Sequence, residues 1–162
     1  EDAGDYIERF GNDLKLDWQD ADKAESVVNP TVPRTPSSSE SIARGRKLFL
    51  SKEAKCASCH GETARGNGPS TEAFNDLPGK PPGTKSDKPG LFDNWGNIVK
   101  PRNLTTGVFR GGRRPIDIYR RIHSGIKGTP MQAFGTTLKE DQIWDVVNYV
   151  LSIPFEDKQG GH

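Results

Sequence analysis

The chain has 162 residues with 31% hydrophobic side chains, 18 Gly and 12 Pro, which fits one domain with extensions and a lean apolar core. The net charge of +1 hides an asymmetry, because residues 1–40 carry ten acidic and four basic side chains and residues 41–162 carry nineteen basic and twelve acidic ones. Aromatic residues do not alternate with the basic ones, which argues against a nucleic-acid-binding protein, and no apolar run approaches the roughly 20 residues of a membrane span.

The first forty residues divide into an arm and a linker. Residues 1–28 form an acidic arm in which Tyr6, Phe10 and Leu14 have the spacing of a short helix. Two interpretations remain open for it, a partly ordered extension and a docking segment. Residues 29–40 are rich in Pro and Ser and are predicted to be a linker. Since the chain begins at Glu1 without a charged and apolar leader, we expect a processed protein or a part of a longer one.

The folded domain is predicted to cover residues 41–155, followed by a tail at 156–162. Its first helix begins at a capping-box pattern, Ser37 to Glu40, and continues through residue 55. Gly45 lies on the apolar face of this helix, between Ile42 and Phe49. Because a glycine inside a helix costs about 1 kcal/mol relative to alanine, its presence predicts that another backbone passes close by.

Two further helices follow after a long region of turn chemistry. Residues 61–114 show little periodicity, and a stretch of this length without regular structure is acceptable if its loops wrap around a bound object. The second helix is predicted to begin at Pro115 and to end at Gly125. The third begins at a capping box, Thr137 to Glu140, and ends at Pro154. These patterns predict a small all-α fold with three main helices and long loops.

The two cysteines of the chain belong to the sequence KCASCHGE, in which Cys56 and Cys59 are followed at once by His60. A disulfide redox pair would be expected after a βαβ pattern, which is absent. A zinc site would require a fourth ligand from His123 or His162, and adjacent Cys59 and His60 do not easily face one metal. The third interpretation is covalent haem attachment, because residues i and i+3 of a helical turn present two thiols to the two vinyl groups of a haem. The next residue then directs its imidazole towards the iron.

The single methionine, Met131, lies in the loop GIKGTPMQAF just beyond the second helix. A lone methionine usually fills a gap in a core. Opposite a haem-bound His60, however, a thioether on a loop stiffened by Pro130 is a natural sixth ligand, and Met/His ligation is the cytochrome c arrangement. His123 is the rival sixth ligand, although we expect it to be exposed.

Together these segments resemble a class I monohaem cytochrome c. The resemblance extends over about residues 41–154 and is carried in order by GRKLF, CASCHGETARGNGP, PRNLTTGVFRGG, IYRRIHSGIKGTPMQAF and LKEDQIWDVVNYVLSIP. It implies one covalently bound haem c, attached through Cys56 and Cys59, with His60 and Met131 as iron ligands. It also implies that the first and last helices cross at a Gly/aromatic contact, pairing Gly45 and Phe49 with Trp144 or the neighbourhood of Tyr149.

Further haem-pocket residues follow from the resemblance and from side-chain chemistry. The family uses a proline carbonyl to accept the Nδ1–H of the iron-binding histidine, and Pro69 is the expected residue. Trp95, Arg102 and Asn103 have N–H donors suited to the haem propionates. The segment from Thr71 to Lys100 is longer than in minimal family members, so its position is not predicted by analogy.

The function expected from the resemblance is electron transfer without catalysis. We expect redox partner proteins with an acidic docking surface, attracted by Lys52, Lys55, Arg65 and Lys127. Cytochrome c maturation outside the cytoplasm implies a bacterial periplasmic or equivalent location, with a possible membrane tether or fusion to a larger redox protein. Two alternatives remain, a haem enzyme subunit or peroxidase and a gas sensor, and both need an open or displaceable sixth ligand.

Overall fold

The structure is a computed structural model that describes residues 2–156, so His162 and most of the predicted tail lie outside the described residues. Five α-helices are present in this part of the chain: α1 (Ala3–Ala21), α2 (Ser39–Leu50), α3 (Cys56–His60), α4 (Pro115–Ser124) and α5 (Glu140–Glu156). Two short strands, β1 (Leu91–Phe92) and β2 (Ile98–Val99), pair as an antiparallel hairpin. The predominance of helix confirms the predicted all-α class.

Helix α2 is shorter than the sequence pattern predicts. Its N-cap is Ser38, whose hydroxyl accepts a hydrogen bond from the Ser41 N–H at 3.3 Å. The helix ends at Leu50 because Ser51 takes an extended conformation. Residues 51–55 then form a separate turn closed by a bond from the Lys55 N–H to the Ser51 carbonyl, so the chain changes direction just before the cysteine motif.

Helices α2 and α5 cross at Gly45, as the resemblance implies. A Cβ atom at Gly45 would collide with the Asp145 carbonyl and would lie 2.9 Å from the Tyr149 Cβ. Next to this crossing, the rings of Phe49 and Tyr149 meet edge to face with 5.3 Å between their centroids. Tyr149 is therefore the aromatic partner of α2, whereas Trp144 packs against Tyr119 of α4.

The ends of α4 and α5 set the shape of the remaining core. Helix α4 has the predicted bounds, and Gly125 ends it with a φ of +67°. Helix α5 continues past Pro154, where the sequence predicted its end. The proline lies in the last turn, so only two helical residues follow the hydrogen bond that its missing N–H removes. The crossing of α2 with α5, together with α4, forms the buried core.

The segment predicted to be a linker is held against the helices. Backbone N–H groups of Thr31 and Val32 donate to the Glu140 carboxylate at 2.8 and 2.9 Å. The Trp144 indole N–H donates to the Val32 carbonyl at 3.2 Å, and Arg34 donates to the Asn148 side-chain oxygen. We call residues 28–36 the strap, because they run across α5 and tie the N-terminal part of the chain to the helical body.

Helix α1 has the predicted helical spacing, and its 19 residues make it longer than the short helix that was expected. It contains no buried residue, and its large apolar side chains are all exposed, namely Tyr6, Ile7, Phe10, Leu14, Leu16 and Trp18. No helix in the described part of the chain is long and apolar enough to cross a bilayer.

Candidate haem site

The cysteine motif folds as the single helical turn α3. Lys55 precedes it in the left-handed region with a φ of +50°, and Gly61 ends it with a φ of +79°. Cys56 and Cys59 are therefore one turn apart on the same side of the helix. Both are half-buried and present free thiols.

Two other interpretations of the motif, a disulfide redox pair and a zinc site, depend on the thiol pKa and on neighbouring metal-binding side chains. Burial raises the pKa of the Cys56 thiol to about 12, so it is protonated at neutral pH. A disulfide-exchange pair needs a thiolate near neutral pH, which this environment disfavours. Among residues 2–156, no three His, Cys, Asp or Glu side chains are grouped to hold a metal ion. The described residues therefore give the redox-pair and zinc interpretations no support.

His60 is fixed by a backbone carbonyl. Its Nδ1 lies 3.0 Å from the Arg102 carbonyl oxygen. Since a carbonyl oxygen only accepts, Nδ1 carries the proton and donates it, which leaves the lone pair of a neutral ring on Nε2. Burial lowers the pKa of His60, which favours this neutral form. The ring is thus prepared as an Nε2 metal ligand, in the way that a carbonyl partner orients ligating histidines in general.

The acceptor is Arg102, and the expectation that it would be Pro69 is corrected. The Pro69 carbonyl instead accepts the Glu72 N–H at 3.2 Å within its own turn. The contact depends on a main-chain oxygen, so any residue type can supply it and the side chain gives no signal in the sequence. What fixes Arg102 in position is the path of the loop that follows α3.

The loop at 61–68 folds back over α3 because its glycines allow close backbone contacts. The Gly68 N–H donates to the Cys59 carbonyl at 3.0 Å, and the Gly66 N–H donates to the His60 carbonyl at 2.7 Å. A Cβ at Gly66 would collide with the Pro101 carbonyl, next to Arg102. Sequence reasoning included these glycines in the resemblance without assigning them a role. Gly66 lets segments 61–68 and 101–104 touch, which brings the Arg102 carbonyl to His60, and Gly68 lets the loop lie directly on the backbone of α3.

Met131 lies on a tightly bonded loop, residues 126–131, which we call the Met131 loop. Its ends are joined by a bond from the Ile126 N–H to the Met131 carbonyl at 2.9 Å. The Thr129 hydroxyl donates to the Ile126 carbonyl at 2.8 Å and lies 3.3 Å from the Met131 nitrogen. Met131 is half-buried and packs against the core cluster, as Cys56 also does. Pro130 is exposed beside it.

The structure gives the three residues predicted to bind propionates clear local contacts. The Arg102 Nε donates to the Val108 carbonyl at 2.8 Å, and the Asn103 side chain caps the turn at 104–106 by accepting from the Thr105 N–H. Trp95 is 80% exposed and faces the Met131 loop at Gly128. Their contribution to haem binding stays a prediction.

His123 is not the exposed residue that was expected. Its ring stacks on Tyr119 with 5.9 Å between centroids, and its Nδ1 is buried. A Cβ at Gly135 would lie only 2.5 Å from His123 Nε2, so the missing side chain at Gly135 makes room for the ring. Packing against Gly135 covers Nε2, which disfavours His123 as an iron ligand.

The donor set as a whole fits a covalently attached haem. Two free thiols on one turn can each form a thioether, the His60 Nε2 is available as a nitrogen ligand, and Met131 supplies a thioether sulfur on a constrained loop.

Known proteins resemble this chain over most of its length. The protein-family model described as Cytochrome c matches residues 42–154. A chain of the Kuenenia stuttgartiensis reducing HAO-like protein complex has a similar solved structure, with 31% sequence identity and a TM-score of 0.60. The match covers 77% of this chain and 50% of that chain, so the protein spans about half the length of that relative. No curated protein matches the sequence significantly.

Proposed function

The chain belongs to the cytochrome c family, and on this basis we propose that it carries single electrons on one covalent c-type haem. Cys56 and Cys59 would hold the haem through thioether bonds, and His60 and Met131 would bind its iron. The observation that carries this proposal is the bond from His60 Nδ1 to the Arg102 carbonyl, because it leaves Nε2 free and fixes the ring direction.

The bound haem supplies a reversible Fe(III)/Fe(II) couple, whose potential a thioether ligand raises. The protein's own residues keep this exchange simple. The carbonyl contact orients His60, and the hydrogen bonds at Thr129 and Ile126 hold the Met131 backbone. With His60 and Met131 both bound to the iron, no position would be left for a substrate, and the protein would act as a carrier and not as an enzyme.

Electron exchange requires a partner, and exposed basic side chains support an acidic one. Lys52 and Lys55 are exposed on the turn that precedes the cysteine motif, and Lys127 is exposed within the Met131 loop. Such charges increase the association rate with an acidic surface more than they increase affinity. The relative from Kuenenia stuttgartiensis belongs to a protein complex, which supports a role beside a larger redox protein. We place the mature protein in a periplasmic or equivalent compartment, tethered or free.

A second candidate function is that of a haem subunit in an enzyme assembly. The observation that favours it is the same relative, which comes from a reducing HAO-like protein complex. In such an assembly this domain would deliver electrons to a catalytic haem elsewhere, or would itself react if its sixth ligand were displaceable.

The proposal is tested by the absorption spectrum of the purified ferric protein. We expect the weak far-red band of sulfur bound to ferric iron, its loss in Met131→Ala, and its retention in His123→Ala. The wild type should bind neither carbon monoxide in the ferrous state nor imidazole at modest concentration in the ferric state. A high-spin wild-type spectrum, or a far-red band that persists in Met131→Ala, would refute the proposed ligation and favour the enzyme or sensor functions.

A further inference from the structure

The segment from Thr71 to Lys100, which the family resemblance leaves without a position, ends in a rigid turn. Residues 93–97 connect β1 to β2, and we call them the Asp93 turn. The Asp93 carboxylate accepts the N–H groups of Trp95 at 3.0 Å and Asn97 at 2.8 Å. The Asp93 N–H donates to the Asn97 carbonyl at 2.9 Å, closing the turn from the other side. This turn is therefore stiff before it contacts anything else.

The Asp93 turn contacts the Met131 loop at one residue, Gly128. The Asn94 N–H donates to the Gly128 carbonyl at 2.9 Å. The Trp95 ring faces the same residue, since a Cβ at Gly128 would lie 3.4 and 3.5 Å from two of its ring carbons. Gly128 has a φ of +82°, so glycine is favoured there and the ring meets bare backbone.

Gly128 is close to the proposed iron ligand along the chain and through hydrogen bonds. Thr129 follows it, and the Thr129 hydroxyl lies between the Ile126 carbonyl and the Met131 nitrogen. The bonds inside the Met131 loop join residues 126, 129 and 131 to one another, so they fix its shape but do not tie it to the body. Position 128 is where the Asp93 turn adds an external attachment.

We propose that the Asp93 turn is a clamp on the Met131 loop, with Trp95 and Asp93 as positioning residues for the Met131 sulfur. The Met131 loop would have two states, a closed one in which the sulfur could bind the iron and an open one in which it could not. The clamp favours the closed state. This inference rests on the proposed Met131 ligation and gives the long segment at 71–100 a function in it. Trp95 then acts on the ligand loop through Gly128, whether or not it also meets a propionate.

The test uses the holoprotein with two variants and a matched control for each. Trp95→Ala is compared with Trp18→Ala, which removes another exposed indole from α1. Asp93→Ala is compared with Asp76→Ala, since Asp76 lies in the same segment and forms its ion pair with Lys85 at 2.7 Å. Imidazole binding to the ferric protein is the readout, because imidazole competes with the sulfur only when the loop opens.

We expect the apparent imidazole dissociation constant to fall by about tenfold in Asp93→Ala and by a few-fold in Trp95→Ala, since apparent affinity rises with the open fraction. The far-red band should weaken in both variants, while both control variants bind imidazole as the wild type does. If Asp93→Ala does not fold, Trp95→Ala decides. Wild-type imidazole binding in the variants would overturn the clamp. A wild type without the far-red band would instead refute Met131 ligation itself.

Discussion

At the scale of single residues, the site depends on main-chain atoms as much as on side chains. The motif supplies the thiols and imidazole, but the Arg102 carbonyl selects the His60 tautomer, and Gly66 allows the loop contact that brings this carbonyl into reach. A substitution at Arg102 that keeps the backbone in place should therefore leave His60 oriented. A residue larger than glycine at position 66 should separate the two loop segments and leave His60 without its carbonyl partner.

Gly45 is the residue at which the smallest change should have a large effect on stability. In Gly45→Ala, the new methyl group meets the Asp145 carbonyl, which belongs to the backbone of α5 and yields only if the helices separate. Overpacking of this kind costs about 1–3 kcal/mol. Chemical denaturation of the holoprotein measures the change in the free energy of unfolding.

The control for this substitution is Gly11→Ala in α1, where no atom lies within 4 Å of the added Cβ. Alanine should favour the exposed helix by up to about 1 kcal/mol, so the control variant should be no less stable than the wild type. If Gly45→Ala were equally stable, the two helices would not be in contact at this position.

At the scale of elements, α5 organises the fold because it binds α2 on one side and the strap on the other. Asp145 of α5 pairs with Arg44 at 2.7 Å and accepts the Ser41 hydroxyl at 2.6 Å. Fully buried Asn148 donates to that same hydroxyl and to the Thr35 carbonyl. This chain of polar contacts joins the strap, α2 and α5, and the burial of its groups makes each missing partner costly.

The contact between the strap and α5 should make stability depend on pH through Glu140. Hydrogen bonds from the Thr31 hydroxyl and from the backbone N–H groups of Val32 and Thr31 lower the pKa of Glu140 from its ordinary value of 4.5. A lowered folded-state pKa means that the stabilisation is fully present above 4.5 and is lost as the pH falls through the lower, folded value. Glu140→Gln should therefore be less stable than the wild type at neutral pH, and the difference should shrink in acid.

Urea denaturation at neutral pH and at several values below 4.5 measures this difference. Glu8→Gln in exposed α1 is the matched control, and its stability should follow that of the wild type throughout. A constant difference between Glu140→Gln and the wild type across the series would show that the charge on Glu140 does not contribute to the strap contact.

At the scale of the whole molecule, the dominant feature is the separation of charge between α1 and the helical body. Residues 1–26 carry nine acidic and three basic side chains, whereas residues 41–162 carry an excess of seven basic ones. Helix α1 is exposed along its entire length, so its negative field acts on any charged reagent that approaches the body.

Removal of residues 1–26 should raise the net charge from +1 to +7 and speed reaction with anions. We expect oxidation of the reduced protein by ferricyanide to accelerate by about an order of magnitude at low ionic strength. The difference should fade as salt screens the charges. Stopped-flow measurements at increasing salt follow both reactions. A cationic cobalt(III) complex serves as the control oxidant, and removal of residues 1–26 should slow the oxidation by this cation. If the full-length and the truncated protein showed the same salt dependence, α1 would not steer charged reagents.

Most of the fold and of the site could be predicted from patterns of residues that are close together in the sequence. Helix periodicity, the proline that begins α4 and the glycine that ends it, and the spacing of Cys56, Cys59 and His60 depend on residues close together in the chain. The length of α2 and the end of α5 were less well predicted, because a single extended residue at Ser51 stops one helix and a last-turn proline does not stop the other.

The sequence by itself determined the all-α class, the cysteine motif and the donor types available to a haem. Only the tertiary structure decided that Arg102 and not Pro69 supplies the carbonyl to His60, that Gly135 encloses His123, and that the Asp93 turn contacts Gly128. The physical reason is the same in each case. These contacts join residues distant in the chain through backbone atoms or through the absence of a side chain, and neither leaves a pattern that a sequence can display.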